Sequence, residues 1–411
     1  MDQASDQDLR ISVAGLEVGM FVSRLDRPWI ETPFPLHGLT IQDTGQRDAL
    51  RGLCSFVWVD PLRGKSPDPR YLDLADPGQA KRQIDALRKT TWAVAQDFDT
   101  EVEKATPVFD QLEAGLRGAL DELRAGRKLD TARLKAGVDA MVDSMLRNPN
   151  AFAWLREMRR SSEYDYLHAM GSSIWAASFG RHLGMERTEL EELALGGLLC
   201  DVGKTRVPAE LLAQKGPLDE EAQRLVKLHV RHGLEILGET PGISSIVIEM
   251  VATHHERHDG SGYPQGLAGN DIPIFGRIGG IVDSYDAMTS ERPYAVSLAP
   301  HKAVSELYNR RGTAFQPEMV EQFIQACGIY PTGSLVELSD GRVGVITAVN
   351  SLKRLRPALM VLLDSDKKPL PRFQRLDLSE VMQDPEGRPL NIRQGLPSGA
   401  HGIDPHQLFI D

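Results

Sequence analysis

The most informative stretch of the chain is residues 253–294, THHERHDGSGYPQGLAGNDIPIFGRIGGIVDSYDAMTSERPY. Two adjacent histidines, His254 and His255, come first. The HDGSGYPQG that follows is too rich in glycine and proline for a helix and predicts a loop. The apolar GRIGGIVDSYDAM then places Asp283 and Asp286, three residues apart, on one helical face. Histidines and carboxylates therefore border the same predicted loop.

The spacing of these groups indicates metal chemistry. Neighbouring residues on a helix point about 100° apart, so His254 and His255 can serve one site only if it lies between their directions. A centre with two metal ions meets that condition. Asp283 lies in an apolar segment, where a carboxylate would be buried, and buried carboxylates are paired or metal-bound.

Further candidate ligands lie upstream on other predicted helices. They are His168, Cys200, Asp201, His229 and His232, and Lys204 follows the Cys-Asp pair as a possible phosphate contact. Each alone has an ordinary explanation: a core or exposed histidine, an N-cap for Asp201, a small buried hydrophobe for Cys200. Together they predict a site spread over several helices. Imidazole and carboxylate ligands suit Fe, Mn, Zn or Ni, whereas a thiolate favours Zn or Fe.

The composition limits the class of protein. The chain has 411 residues, a formal net charge of −11 and three cysteines. This length predicts two or three domains, the negative charge argues against DNA binding, and the cysteines are too few for a disulfide framework. No signal peptide and no apolar run long enough for a membrane span are visible. We therefore expect a cytoplasmic protein.

The pattern along the chain predicts a mainly α fold. The expected units are an N-terminal β module (1–70), a helical linker or regulatory segment (71–149), a helical metal-binding core (150–330) and a C-terminal β unit (331–411). A helical pattern from about 78 to 147 includes Trp92 and Val94, and an intramolecular packing face is favoured there over a homodimer seam. Apolar residues alternating around Asp340 and Gly341 predict a hairpin.

Three segments of the chain occur in the order of a known family: HHERHDGSGYPQGL, DSYDAMTSERPY and FQP at 315–317. Through these segments the chain resembles the HD-GYP family, a branch of the HD phosphohydrolase superfamily. The resemblance covers about 150–330. GMFVSRLDRPWIETPF resembles a domain that often precedes HD-GYP in bacterial proteins, and YPTGSLVELSDGRVGVI resembles the β tail that often follows. The family implies a helical HD-type core that hydrolyses cyclic di-GMP to pGpG or GMP in second-messenger signalling.

The resemblance also assigns roles to residues. Two divalent ions are expected, Fe or Mn in preference to Zn or Ni, with Asp201 as the bridging ligand. The implied metal ligands are His168, Asp201, His229, His254, His255 and Asp283, with Cys200 added at the position next to Asp201. Lys204 and Arg292 would contact the phosphate. Asp286 and the loop residues Gly262, Tyr263 and Pro264 are assigned to substrate binding, and signalling partners are expected at the loop.

The sequence departs from the family pattern at three positions. Cys200 replaces the histidine of the HD pair; a thiolate can bind metal, but it is shorter and adds negative charge, so we expect weakened or altered binding. Tyr164 stands where three-metal members carry Glu, which predicts two ions rather than three. Ala295 replaces a basic residue.

The main hypothesis is a metal-dependent cyclic di-GMP phosphodiesterase. One alternative is a catalytically degenerate cyclic di-GMP sensor or interaction scaffold, which Cys200 and Ala295 favour. Another is a phosphohydrolase that acts on a different nucleotide.

Overall fold

The computed structural model describes residues 8–27, 29, 32–34, 38–54, 56–67, 83–159, 164–214, 216–290, 297–350 and 353–403. Within them, a small β-sheet is followed by a large helical body and then by a second sheet. The predicted mainly α class is therefore confirmed. No helix in the described part of the chain is both long and apolar enough to cross a bilayer.

The first sheet is antiparallel, with strand order β1-β4-β2-β3. Its elements are β1 (Leu9–Ser12), β2 (Phe21–Leu25), β3 (Leu39–Thr40), α1 (Thr44–Leu53) and β4 (Phe56–Val59), with a 3-10 turn at Val13–Gly15. Asp43 caps the N-terminus of α1, and its carboxylate accepts the Gln46 N–H. Alternate strand residues such as Ile11, Val57 and Val59 are fully buried, as a sheet with one covered face requires.

Two helices, α2 (Phe98–Arg124) and α3 (Thr131–Arg147), follow and pack against each other. Asp97 and Asp130 cap their N-termini through side-chain hydrogen bonds. The apolar stripe of α2 lies in the core of the helical body: Leu112 is 1% exposed and Leu116 is 0% exposed. The stripe therefore packs within the chain, as favoured from the sequence.

The helical pattern predicted for residues 88–97 is wrong. This segment is not helical. The Trp92 indole N–H donates to the Met185 carbonyl at 3.0 Å, and the N–H groups of Lys89 and Thr90 both donate to the Gly184 carbonyl. Backbone and side-chain hydrogen bonds to a distant turn replace those of a helix, and they tie the segment to the helical body.

Ten further helices follow in the residues that the structure describes, and all except the two short helices Ala209–Leu212 and Glu220–Lys227 contribute to the same hydrophobic core as α2 and α3. They are α4 (Pro149–Met158), α5 (Tyr164–Leu183), α6 (Arg187–Leu199), α7 (Ala209–Leu212), α8 (Glu220–Lys227), α9 (His229–Gly238), α10 (Ser245–Thr253), α11 (Ile274–Thr289), α12 (Pro300–Asn309) and α13 (Pro317–Cys327), with 3-10 turns at Val202–Arg206 and Gly269–Asp271. Helix α5 is buried on nearly all sides, so α6, α11 and α13 can all pack on it.

The second sheet is antiparallel, with strand order β8-β7-β6-β5-β9. Its strands are β5 (Leu335–Leu338), β6 (Val343–Ala348), β7 (Ala358–Leu363), β8 (Pro369–Asp377) and β9 (Ile392–Gly395), and a 3-10 turn lies at Ala400–Gly402. The hairpin predicted around Asp340 and Gly341 is the β5–β6 connection. Trp154 of α4 packs into this sheet's core, which anchors the sheet to the helical body.

Candidate metal centre

Six of the predicted metal ligands come together in two groups that share one residue. The histidine-rich group consists of Asp201, His229, His254 and His255. The carboxylate-rich group consists of His168, Asp201 and Asp283. Within each group, the potential ligand atoms all lie within 4.8 Å of one another. The position of Asp201 in both groups is the one that a bridging carboxylate requires.

Five helix ends or faces supply these side chains. His168 lies on α5, Asp283 on α11 and His229 at the first residue of α9, while His254 and His255 follow α10. Asp201 begins the turn after α6. The tertiary fold is needed to assemble the site, because His168 and Asp283 alone are 115 residues apart in the chain.

Gly203 lets the Asp201 turn approach α9. A Cβ at this position would lie 1.9 Å from the His229 carbonyl oxygen and 2.4 Å from the Gly233 nitrogen. No larger residue fits there without moving the backbone. The glycine in CDVGK therefore brings Asp201 close to His229, whose Nε2 lies 3.3 Å from Asp201 Oδ1.

The histidine-rich group is oriented by backbone hydrogen bonds. His229 Nδ1 lies 2.7 Å from the Val226 carbonyl, and His254 Nδ1 lies 2.9 Å from the Val251 carbonyl. A neutral imidazole that donates from Nδ1 presents its lone pair at Nε2. Both Nε2 atoms are buried and have no hydrogen-bond partner among the described residues. Orphaned, buried acceptors that face a shared carboxylate fit a bound cation.

His168 is oriented by a carboxylate. Its Nδ1 lies 2.8 Å from Asp286 Oδ2, while its Nε2 lies 3.0 Å from Asp283 Oδ1 and 3.4 Å from Asp201 Oδ2. Arg156 binds the other oxygen of Asp286 through Nε at 3.0 Å and Nη2 at 2.8 Å. The chain Arg156–Asp286–His168 thus fixes the ring and directs Nε2 toward the two ligand carboxylates.

The assignment of Asp286 to substrate binding is contradicted by this arrangement. Asp286 is 0% exposed, and Arg156, His168 and Ser290 occupy its oxygens. A carboxylate enclosed in this way cannot reach a substrate. Arg156 was missed from the sequence because it lies 130 residues from its partner; the one signal was a charged residue in the apolar run AFAWL-R-EM.

Cys200 belongs to neither group. It is 2% exposed and lies in the apolar core. Burial, with further contributions from Asp283 and Asp201, raises the pKa of its thiol well above the usual value. The sulfur therefore stays protonated in the metal-free chain, and the structure gives the predicted ligand role of Cys200 no geometric support.

The histidines differ in their electrostatic surroundings. Burial lowers the pKa of His229 to about 4, and burial with the nearby His254 lowers that of His255 well below its usual range. Both rings are neutral at pH 7 and ready to act as ligands. Burial alone would also lower the pKa of His168, but Tyr164 and the three carboxylates around it raise the pKa well above normal. His168 thus carries a proton that a cation would displace.

The carboxylates stay charged despite burial. Desolvation opposes ionisation of Asp201, but Lys204 and the nearby histidines lower its pKa well below the usual value. For Asp283, His168 outweighs burial in the same way and lowers the pKa. In the metal-free chain the protonated His168 and Lys204 face these two anions, and a bound cation would take the place of the proton on His168.

Lys204 lies between this pocket and solvent. Its Nζ donates to Asp201 Oδ2 at 2.6 Å, and its side chain is 22% exposed. It borders two cavities of about 490 and 570 Å³. Its ammonium is therefore available to a ligand that enters either cavity.

The predicted loop lies against the histidine-rich group. The Tyr263 ring stacks on His255, with ring centres 4.7 Å apart and planes inclined by 25°. A Cβ on Gly262 would lie 2.4–2.6 Å from the backbone of Glu256 and Arg257, so only glycine fits. Pro264 is exposed at the tip.

Glu256 holds this loop and was not among the predicted site residues. Its carboxylate is buried and accepts the N–H groups of Gln265 at 2.7 Å and Leu267 at 3.0 Å. Its place directly after the two histidines was the only available signal. The backbone on both sides of the Tyr263–Pro264 pair is thereby fixed next to the metal pocket.

Two sequence expectations concern other positions. Arg292 and Ala295 lie outside the described residues. Tyr164, at the position of the third-metal carboxylate, instead stacks its ring on His168, with centres 5.2 Å apart and planes inclined by 10°. The phenol covers a ligand histidine and offers no carboxylate to a further ion.

Three family descriptions match consecutive parts of the chain. A domain of unknown function (DUF3391) matches residues 9–134, the HD domain matches residues 144–319, and a KOW domain associated with the HD domain matches residues 335–383. The HD match contains all six converging ligands.

Curated relatives resemble the chain over much of its length. A cyclic di-GMP phosphodiesterase of Pseudomonas aeruginosa is 32% identical over 91% of this chain and 90% of its own. A cyclic di-GMP phosphodiesterase response regulator of Xanthomonas campestris pv. campestris is 35% identical over 69% of this chain and 70% of its own. A 3'3'-cGAMP-specific phosphodiesterase of Vibrio cholerae is 33% identical over 38% of this chain and 30% of its own.

Proposed function

The chain belongs to the HD-GYP family of the HD phosphohydrolases, and from this premise we propose that it is a metal-dependent phosphodiesterase that hydrolyses cyclic di-GMP. The observation that carries the proposal is the convergence of six ligand side chains on Asp201, with buried and unpartnered Nε2 atoms on His229 and His254. A site of this kind beside a lysine-lined cleft suits a phosphate ester.

Two divalent ions are proposed, Fe or Mn in preference to Zn or Ni. The histidine-rich group would hold one ion and the carboxylate-rich group the other, with Asp201 common to both. When bound, such ions activate a water molecule for attack at neutral pH and neutralise charge on phosphoryl oxygens. Imidazole and carboxylate donors match this set of metals.

The chain's own residues then position the phosphate. Lys204 supplies a point charge to a phosphoryl oxygen from the border of the cleft. Its hydrogen bond to Asp201 keeps the ammonium beside the reacting centre. Arg292 is proposed as a second phosphate contact from its sequence position, and Gly262, Tyr263 and Pro264 as the loop that borders the substrate.

The cellular role is proposed on the same basis. Turnover of cyclic di-GMP to pGpG or GMP would end a bacterial second-messenger signal in the cytoplasm. The exposed Pro264 and Gln265, on a loop fixed by Glu256, offer a surface to a signalling partner. A homodimer remains a proposal, and DNA is not among the proposed partners.

A second candidate function is a cyclic di-GMP sensor that binds without hydrolysis. The observation in its favour is the place of Cys200 outside both groups, which leaves the carboxylate-rich group with three donors. A second ion held by three donors, two of them carboxylates, binds more weakly than one held by four.

Metal content and turnover distinguish the two functions. We would purify the protein without chelator, measure bound metal by elemental analysis and follow cyclic di-GMP by chromatography with Fe or Mn supplied. The phosphodiesterase predicts near two ions per chain and turnover that is lost in Asp201→Ala. The matched control, Asp139→Ala, removes an exposed carboxylate on α3 and should change neither. One ion or none, with nucleotide binding but no turnover, would leave the sensor.

A further inference from the structure

Two cavities open on either side of Lys204, and both have Lys204 and Leu212 in their walls. The first, of about 490 Å³, is walled mainly by apolar side chains and glutamines. The second, of about 570 Å³, is walled by Arg124, Tyr164, Asp165, Tyr166, Thr205 and Val207 among others. The lysine that faces the metal pocket is therefore the divider between two lobes of one cleft.

Each lobe lies beside a different donor group. The first lobe includes Val226, whose carbonyl accepts the Nδ1–H of His229. The second includes Tyr164, whose ring stacks on His168. A phosphodiester held at Lys204 would thus have one nucleoside directed into each lobe. Each volume is within the usual range for pockets that bind small molecules.

The second lobe carries a fixed pair of opposite charges. Arg124 Nη1 donates to the Tyr166 hydroxyl at 2.6 Å and to Asp121 Oδ1 at 3.1 Å, and these two bonds hold the guanidinium in place. Its Nη2 lies 3.7 Å from Asp165 Oδ2. The side chains of Arg124 and Asp165 are 41% and 39% exposed, so both heads remain accessible from the lobe.

This pair is complementary to guanine. Guanine presents acceptors at O6 and N7, which suit an arginine fork, and donors at N1 and N2, which suit a carboxylate. Adenine presents a donor amino group in place of O6, which a guanidinium cannot accept. Polar groups that hydrogen-bond guanine discriminate against adenine, because those groups would be left without hydrogen-bond partners when adenine is bound.

We propose that the second lobe is a guanine-specific subsite in which Arg124 and Asp165 read the base. The inference rests on the proposed function, since it places a cyclic dinucleotide phosphate at Lys204. Arg124 ends α2, which lies outside the residues 144–319 matched to the HD domain. The segment before the catalytic domain therefore completes the substrate cleft and sets its base preference.

A small cavity lies between the subsite and the metal centre and shares wall residues with both. A cavity of about 20 Å³ has Arg124, Asp165, Asp201 and Lys204 in its wall. The base-reading pair and the bridging carboxylate thus border one continuous region.

The test compares base preference in wild type and Arg124→Met, which keeps the length of the side chain but removes the fork. We would measure kcat/KM for cyclic di-GMP and for cyclic di-AMP with the metal-loaded full chain. The expected result is a fall in the guanine-to-adenine ratio of roughly tenfold to a hundredfold, the value of one bidentate base contact. Arg124→Lys, which keeps the charge without the fork, should lie between them, and Asp165→Asn should also lower the ratio.

Arg133→Ala is the matched control, because it removes an exposed arginine from the next helix. Thermal unfolding of each variant checks that the loss of the Tyr166 contact has not unfolded α2. An unchanged ratio in folded Arg124→Met would overturn the subsite while leaving the proposed function intact. If wild type hydrolyses neither dinucleotide, the proposed function fails, and calorimetric binding of the same two dinucleotides to wild type and Arg124→Met then decides the subsite.

Discussion

The two donor groups at Asp201 are unequal. The histidine-rich group offers three imidazoles and one carboxylate, whereas the carboxylate-rich group offers one imidazole and two carboxylates. Imidazole nitrogens suit first-row transition-metal ions such as Fe, Ni and Zn, whereas carboxylate oxygens suit harder ions such as Mn and Mg, which are bound more weakly. From this difference we expect that, if each group binds an ion, the histidine-rich group holds it more tightly, and that occupancy of the other group limits activity.

The smaller number of donors in the carboxylate-rich group is explained by one position, residue 200. Cys200 precedes the shared Asp201, and its protonated thiol lies in the apolar core beside the carboxylate-rich group. That group depends instead on the Arg156–Asp286 pair, which fixes His168. In the histidine-rich group, backbone carbonyls orient His229 and His254, and the Tyr263 ring stacks on His255.

The largest effect is expected from the histidine-rich group. His254→Ala removes a fully buried ligand, and we predict loss of the tight ion and a fall in turnover of more than about a hundredfold, since even changes to residues behind the ligands cost roughly 10–100-fold. Elemental analysis and phosphodiesterase assays measure both. His232→Ala, on the half-buried histidine in neither group, should keep metal and turnover; equal losses in the two variants would contradict the assignment.

Asp286→Asn tests the support of the other group. The change removes the charge that faces Arg156 and His168, so we predict affinity for the second ion lowered roughly 10–100-fold while the first ion stays bound. Breaking a buried ion pair should also cost about 3–5 kcal/mol of unfolding free energy. Metal titration and urea unfolding provide the measurements. Ser290→Ala, which removes one hydrogen bond to Asp286, should lower both the affinity for the second ion and the unfolding free energy, but by less than Asp286→Asn does.

Cys200→His should reduce the difference in metal affinity between the two donor groups. An imidazole at this position adds a fourth donor to the carboxylate-rich group, and we predict about tenfold tighter binding of the second ion. Cys200→Ala should leave both affinities unchanged and cost only about 1 kcal/mol of stability for the small cavity. Loss of an ion in Cys200→Ala would show that the thiolate is a ligand after all.

The last prediction concerns the carboxyl of Glu157, next to Arg156, and no effect on metal binding is expected from it. Burial raises the pKa of Glu157 to about 7; Arg156 opposes this shift and Asp286 adds to it. Because the folded chain binds this proton more tightly than the unfolded chain, whose Glu pKa is about 4.3, stability is lost as the pH rises from about 4.3 through 7. Glu157→Gln should remove this loss, at most about 4 kcal/mol, without changing metal content.

Urea unfolding of wild type and Glu157→Gln between pH 5 and 8 checks this prediction, because the pKa of Glu157 in the folded chain lies within this range. The stability difference should grow with pH in favour of Glu157→Gln. A difference that is independent of pH would mean that Glu157 is ionised throughout this range.

The sequence predicted the helix-loop-helix around the two histidines and the hairpin at Asp340, because local turn residues and periodicity determine them. It also identified the six converging ligands, but through family resemblance. It could not assign Asp286, since three-residue spacing places two carboxylates on one face without saying what covers each. Arg124 and Arg156 depend on contacts 42 and 130 residues away, for which the local pattern holds no signal.

The most direct test of the unequal centre is a calorimetric titration of Mn²⁺ into the metal-free full chain, with cyclic di-GMP turnover measured at each step. We predict two binding events that differ in affinity by at least about tenfold, and turnover that rises only with the second. Two equal sites, or full turnover with a single ion bound, would contradict the account.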